Sequence, residues 1–340
     1  MNKFFELSFD DQRRVLQQAS ARCGLPPQAI EKDLWVSNIL QIVFDLPFAD
    51  KLIFKGGTSL SKVWHLIERF SEDIDLAVDR SLFGFEGDLT KKQIKKLRKA
   101  SSLFVKDTFC QALQEAVEKY GLQDFCKIES EPDGEGDSTY PEPRKIFVRY
   151  KSAWAEPSEY LSPIVMLEIG ARSLLEPNEQ THINSMVEGV FPTIQTTIVD
   201  SKVATALASK TFLEKVFLLH EEFRKNEVRV ERMSRHIYDL AMMMDSENKI
   251  ADRAIHNEVL YKAVLEHRRK FVGLKGFNYD ELYPATLCIV PKEDIARLWQ
   301  DDYKFMCEHM IFGQVPSFEE LISKLSMLND RIRQLNYRKA

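Results

Sequence analysis

The chain has 340 residues, 44% hydrophobic and 29% charged, with a net charge of −5. That balance excludes a disordered polypeptide and a general polyanion binder, so any contact with nucleic acid must come from a local basic patch. Cys23, Cys110, Cys126, Cys288 and Cys307 form no Cys-x-x-Cys pair, and no apolar run is long enough to span a bilayer. These features argue against a zinc knuckle, a disulfide framework or a membrane protein, and predict a reducing, cytoplasmic setting. The opening Met1-Asn2-Lys3-Phe4-Phe5-Glu6 does not read as a signal peptide.

Apolar spacing predicts a helix over 7–24, broken by Pro26-Pro27, and a second over 28–44 through Ile30, Leu34, Trp35, Ile39 and Val43. Leu52-Ile53-Phe54 reads as a short buried strand that stops at Gly56-Gly57. Helical spacing resumes over 58–68. Residues 74–78 then read as a strand whose apolar positions alternate with Asp73, Asp75 and Asp79. A long helix with a basic first half is expected over 90–120. Strands are expected near 125–130, 145–150 and 164–169, with a mobile Pro/Gly/Asp-rich hairpin loop over 131–143. Helices follow near 199–225, 231–246, 252–271, 291–311 and 317–335. The composition shift places a boundary near 197, α/β before it and all-helical after it.

Asp73 and Asp75 are two apart on an expected strand, which puts both carboxylates on one face. Like charges side by side are costly unless a cation lies between them, and magnesium takes one or two carboxylates together with phosphate oxygens. Glu168 is a natural third acid if the 164–169 strand pairs beside them. Gly56 and Gly57 end a strand and open a helix, where glycine permits close backbone approach to phosphate and the first turn offers free N–H donors. Thr58 and Ser59 add hydroxyls there, and Lys55 and Arg69 are cations suited to a triphosphate. Gly57 and Asp73 are 16 residues apart, room for one helix between two strands.

Phe54-Lys55-Gly56-Gly57-Thr58-Ser59-Leu60 followed by Arg69-Phe70-Ser71-Glu72-Asp73-Ile74-Asp75-Leu76 resembles the AbiEii/AbiGii-type nucleotidyltransferases. These are the toxin components of bacterial type IV toxin–antitoxin and phage abortive-infection systems. The resemblance extends upstream to Glu31-Lys32-Asp33. Downstream it takes in Thr211 to Lys215, Leu219-His220, Arg235 to Leu240, Asp302-Tyr303, Met310 to Gly313 and Pro316 to Glu319. It implies an α+β fold: a nucleotidyltransferase-type mixed sheet with helices over 1–197, then a helical domain over 198–340. It also implies Mg2+ or Mn2+, a nucleoside triphosphate donor, Asp73 and Asp75 as metal ligands, and Gly57 and Thr58 at the triphosphate. Lys215 and Asp239 fall in its later catalytic or nucleotide-contacting motifs. The glycine-to-Asp-x-Asp gap is longer than in many polymerase-type relatives, and no sharp motif marks Glu168.

Lys215 stands in an apolar stretch, and its ammonium there needs a phosphate or an acid as partner. A buried Lys215–Asp239 ion pair is the plain alternative to catalysis, and compatible with it. If both are catalytic, they are expected to face the same cleft as Asp73 and Asp75. His220 and His236 read as packing or hydrogen-bonding groups. Lys91, Lys92, Lys95, Lys96, Arg98 and Lys99 form a run without an acid. It reads as a solvated helix face or as a guide for a phosphate-rich acceptor. The expected activity is nucleotidyl transfer to an RNA end such as tRNA, or to a protein hydroxyl, checked by an antitoxin from a neighbouring gene. The rivals are a small-molecule nucleotidyltransferase of the antibiotic-modifying kind and a non-catalytic nucleotide-binding regulator.

Overall fold

The computed structural model describes residues 3–136, 139–154 and 161–337. The chain forms two compact units, one of Met1–Val63 with Phe70–Ala206, the other of Trp64–Arg69 with Leu207–Ala340.

The first unit opens with helices α1 (Lys3–Glu6), α2 (Phe9–Cys23) and α3 (Pro27–Val43). Ser8 caps α2 through the Asp11 amide, and Gly24 closes it in the left-handed conformation. Strand β1 (Leu52–Lys55) runs into α4 (Gly56–Lys62), and β2 (Ile74–Val78) follows. The helix expected to reach residue 68 therefore stops at Lys62. Residues 64–69 leave this unit for the other. The basic segment forms α5 (Lys91–Phe104), a π turn over Val105–Phe109 and α6 (Cys110–Lys119), close to the single long helix expected.

Strands β3 (Cys126–Ser130), β4 (Arg144–Tyr150) and β5 (Ile164–Gly170) match the three expected near 125–130, 145–150 and 164–169. Asp137 and Ser138, in the loop expected over 131–143, lie outside the described residues. Two further strands are β6 (Asn178–Thr181) and, after the short helix α7 (Met186–Val190), β7 (Val203–Ala206). The helix expected from 199 therefore begins later. Val203-Ala204-Thr205-Ala206 is too short to show a period, and only pairing with β1 and β6 makes it a strand.

The seven strands lie in the order β3-β4-β5-β2-β1-β7-β6. β2 runs parallel to β5 and antiparallel to β1. Alternation gives the sheet two unlike faces. Ile146, Val148, Leu167, Ile169, Ile74 and Leu76 are buried on one face. The other carries Lys145, Glu168 and Asp75, all partly exposed. On the buried side α3 packs against β5 and α6. Helix α5 turns Leu97, Ser101 and Ser102 inward, and Ser102 Oγ accepts from Arg144 Nε at 2.9 Å. Arg144 precedes Lys145 and so belongs to the opposite face of β4. The basic run thus sits on a helix covering the back of the sheet, with Lys91, Lys92, Lys96 and Lys99 exposed on its outer side.

The second unit contains α8 (Ala208–Glu222), α9 (Ser234–Met244), α10 (Ile250–Ile255), α11 (Glu258–His267), α12 (Glu293–His309) and α13 (Phe318–Arg333). Ser317 and Glu320 form a capping box that starts α13. Residues 64–69 are tied in by a β-bridge between Arg69 and Ile311 and by the Gln314 amide, which donates to Glu68 at 2.7 Å. A Cβ on Gly313 would come within 1.8 Å of the Glu68 carboxylate, which explains a glycine there.

Candidate active site

In the sheet unit the chemistry is set by register. Lys55 of β1 pairs with Asp75 of β2, Asp75 with Glu168 of β5, and Glu168 with Lys145 of β4. Directly paired residues share a face, so the four side chains form one row of two adjoining acids flanked by cations, Lys55–Asp75–Glu168–Lys145. Asp73, half-buried, lies one residue before β2 rather than within it. Glu168 pairs with Lys145 at 3.4 Å. Strand pairing thus meets the condition that sequence reasoning set for Glu168.

The glycine turn closes on this row. Gly56 has φ +82°, a conformation that side-chain-bearing residues rarely adopt, and a Cβ there would lie 2.0 Å from Asp75 Oδ2. The Gly56 backbone is therefore pressed against the carboxylate. Thr58 and Ser59 are buried, with hydroxyls turned inward. Thr58 Oγ1 donates to the Asp73 carbonyl at 2.5 Å and shares a hydrogen bond with Ser71 Oγ at 2.9 Å, and Ser59 Oγ donates to the Gly56 carbonyl at 2.8 Å. These hydroxyls brace the turn and the segment carrying Asp73.

Among the described residues, no three His, Cys, Asp or Glu side chains converge as a ready metal cage. The row offers hard carboxylate oxygens one or two at a time, beside a turn where backbone approaches closely. That donor set fits magnesium, whose shell is completed by water and phosphate oxygens.

The helical unit holds a different arrangement. Arg69, expected at the triphosphate, is 2% exposed and forks onto Asp239. Its Nε donates to Oδ1 at 2.6 Å and its Nη2 to Oδ2 at 2.8 Å. The match of planar guanidinium to planar carboxylate favours this geometry. Lys215 Nζ lies 2.8 Å from Asp239 Oδ2 and 3.4 Å from His236 Nδ1. Burial alone would raise the Asp239 carboxyl, but Arg69 and Lys215 hold it well below the usual carboxylate range. Burial, helped by Arg69, pulls the Lys215 ammonium down against the attraction of Asp239. Burial, with Lys215 and Arg235 nearby, keeps His236 neutral. Arg69 and Lys215 thus both bond the single Asp239 carboxylate.

Sequence reasoning singled out Lys215 and Asp239 but not the part Arg69 plays between them. It also quoted Glu31-Lys32-Asp33 without giving it a role. These three are 3%, 3% and 4% exposed. Charged residues are almost never so buried unless paired, and three in succession in an otherwise uncharged helix was the available signal.

The profile of the nucleotidyl transferase AbiEii toxin family, of the type IV toxin–antitoxin systems, matches residues 38–324. A comparison with curated proteins found no match. Among solved structures, the chain is similar to MenT4, a nucleotidyltransferase toxin from Mycobacterium tuberculosis H37Rv. Identity is 14% and the TM-score 0.44, over 96% of this chain and 100% of the other. It is also similar to an H. pylori protein provisionally described as a nucleotidyltransferase, at 16% identity and a TM-score of 0.46, over 91% and 96% of the two chains. The family match spans most of the chain and takes in the glycine turn, Asp73, Asp75, Glu168, Lys215 and Asp239. The chain belongs to the AbiEii family of nucleotidyltransferase toxins of type IV toxin–antitoxin systems.

Proposed function

We propose that this nucleotidyltransferase is metal-dependent, with Asp73 and Asp75 as ligands of Mg2+ or Mn2+ and Glu168 as the third acid. The observation that carries this is the Asp75–Glu168 register on the partly exposed face, with Gly56 pressed against Asp75. Two adjoining acids on one face repel each other and gain from a shared cation. The metal would neutralise triphosphate oxygens and favour deprotonation of the acceptor hydroxyl. Lys55 adds positive charge at the end of the row. The Gly56-Gly57 backbone admits the phosphates, and Thr58 and Ser59 hold that backbone in place. Lys215 offers its ammonium to phosphate charge, while Asp239 and Arg69 fix its position.

The acceptor in this reading is a hydroxyl, at an RNA end such as tRNA or on a protein, in the cytoplasm. An antitoxin partner silences the reaction. Exposed lysines of α5 favour a phosphate-rich acceptor over a small molecule, although they lie on the back of the sheet and would hold its body rather than its reacting end. The test incubates purified protein with labelled triphosphates, magnesium and total bacterial RNA. Label should enter RNA, and both chelation and Asp75→Ala should prevent it. Label in protein instead would shift the acceptor class. Transfer that persists without any divalent metal would overturn the metal assignment.

A further inference from the structure

Helix α3 carries Glu31, Lys32 and Asp33 in succession, and each bonds a different segment of the sheet unit. Successive helical residues point about 100° apart, so one stretch of helix can reach three ways. Glu31 accepts from Ser152 Oγ at 2.7 Å and the Ala153 amide at 2.6 Å. Lys32 pairs with Glu72 and donates to the Ser162 carbonyl at 3.2 Å. Asp33 pairs with Lys62 and accepts from the Met186 amide at 2.7 Å.

Two of these partners flank the candidate site. Glu72 immediately precedes Asp73, and Lys62 is the last residue of α4, the helix that Gly56 and Gly57 open. The side chains of both pairs are nearly inaccessible: 4% and 12% exposed for Lys32–Glu72, 7% and 4% for Lys62–Asp33. Buried ion pairs gain little stability over well-packed apolar residues, because desolvation offsets the attraction. What they supply is directional constraint. Here it falls on both arms of the site at once, the arm bearing Asp73 and the arm bearing the glycine turn. Thr58 Oγ1 ties the same two arms to each other through the Asp73 carbonyl.

We propose that Lys32 and Asp33 are positioning residues for nucleotidyl transfer: Lys32 acts through Glu72 on the placement of Asp73, and Asp33 acts through Lys62 on the glycine turn. This rests on the metal-dependent reading of Asp73 and Asp75. The two arms should separate by measurement. Loosening the Lys32–Glu72 arm should weaken metal binding and lower kcat. Loosening the Asp33–Lys62 arm should raise KM for the triphosphate and leave metal binding intact.

The experiment replaces the first pair with apolar residues in the full chain, as Lys32→Met with Glu72→Met, so that no charge is left unpaired. Mn2+ binding to the metal-free protein is read from loss of the free-ion paramagnetic resonance signal, and transfer is read at saturating triphosphate. Lys62→Met with Asp33→Leu is measured alongside. Expected results are a melting temperature close to wild type, at least tenfold weaker Mn2+ binding and at least tenfold lower kcat for the first double variant. The second should show a KM at least tenfold higher. A folded first variant with wild-type Mn2+ affinity and kcat would overturn the proposal. If that variant does not fold, Glu72→Gln, which keeps an acceptor for Lys32, is judged by the same two readouts. Wild-type protein that transfers nucleotide but binds no Mn2+ would instead refute the metal reading, and the Lys32 arm of the proposal with it.

Discussion

The sheet unit and the helical unit both gather ionisable side chains, yet they treat charge in opposite ways. On the sheet, Asp75 and Glu168 stand side by side on a partly exposed face because strand register puts them there. In the helices, Asp239 is fully buried and clasped by Arg69 and Lys215. In the first, two acids adjoin with a lysine register-paired beside each, and the proposed metal would add a cation between them. In the second, the acid is already bonded to both cations, and in the proposed reading it holds the Lys215 ammonium in place. An acid that awaits a ligand should cost activity and little stability when removed. An acid that balances buried cations should cost stability first.

Substitution of those acids is the sharpest way to break the contrast. Asp75→Ala should lower transfer at least about 100-fold, since even residues one shell further from a metal are worth 10–100-fold. Its melting temperature should hold or rise, because a like-charge neighbour of Glu168 is gone. Asp239→Ala should instead lose about 3–5 kcal/mol in urea denaturation, the cost of leaving buried cations unpaired. Equal stability losses in the two variants would erase the distinction.

A coupling experiment sharpens the sheet half of the comparison. Gly56→Ala should destabilise by about 1–3 kcal/mol, from strain at its positive φ and from the clash with Asp75. In the Asp75→Ala background the clash disappears and only the backbone strain remains, so the penalty should shrink. Additive costs in a double-mutant cycle would mean that Gly56 does not bear on that carboxylate.

A further effect is one of pH, in the helical unit, and it develops only as the solution is acidified. His220 is fully buried, its Nδ1 accepts from the Cys288 amide at 2.8 Å, and burial, with Arg224 nearby, lowers it to about 4. The unfolded imidazole takes up its proton near its ordinary value of about 6.5, so the unfolded state binds more protons below that pH. Stability from this group is therefore complete above about 6.5 and declines as pH falls towards 4, by ~3 kcal/mol at most. His220→Gln should flatten that part of the stability–pH curve, and an unchanged slope would contradict the assignment.

Local pattern made the inner strands legible. Residues 74–78 carry a period of two, 164–169 is a nearly continuous apolar run, and both are strands. The polar edge strand Asn178–Thr181 has no such period. The segment Val203–Ala206 is buried throughout and was expected to be helical. Both take their form from hydrogen bonds to distant chain, which local sequence does not encode. For the same reason Arg69 could be recognised as a cation beside the motif but not as the partner of a carboxylate 170 positions away.

The sequence alone determined the chemical vocabulary of this protein: a glycine turn, an Asp-x-Asp, a lysine and an aspartate in apolar helices, and through their order the family. It could do so because residue type and local spacing are carried by adjacent atoms of one chain. Tertiary structure decided which groups meet. It set Glu168 beside Asp75 by strand register, spent Thr58 and Ser59 on bracing, committed Arg69 to Asp239 and gave Lys32 and Asp33 their partners. Those choices depend on desolvation and on directional bonds between segments far apart in the chain, and they exist only once the core has closed.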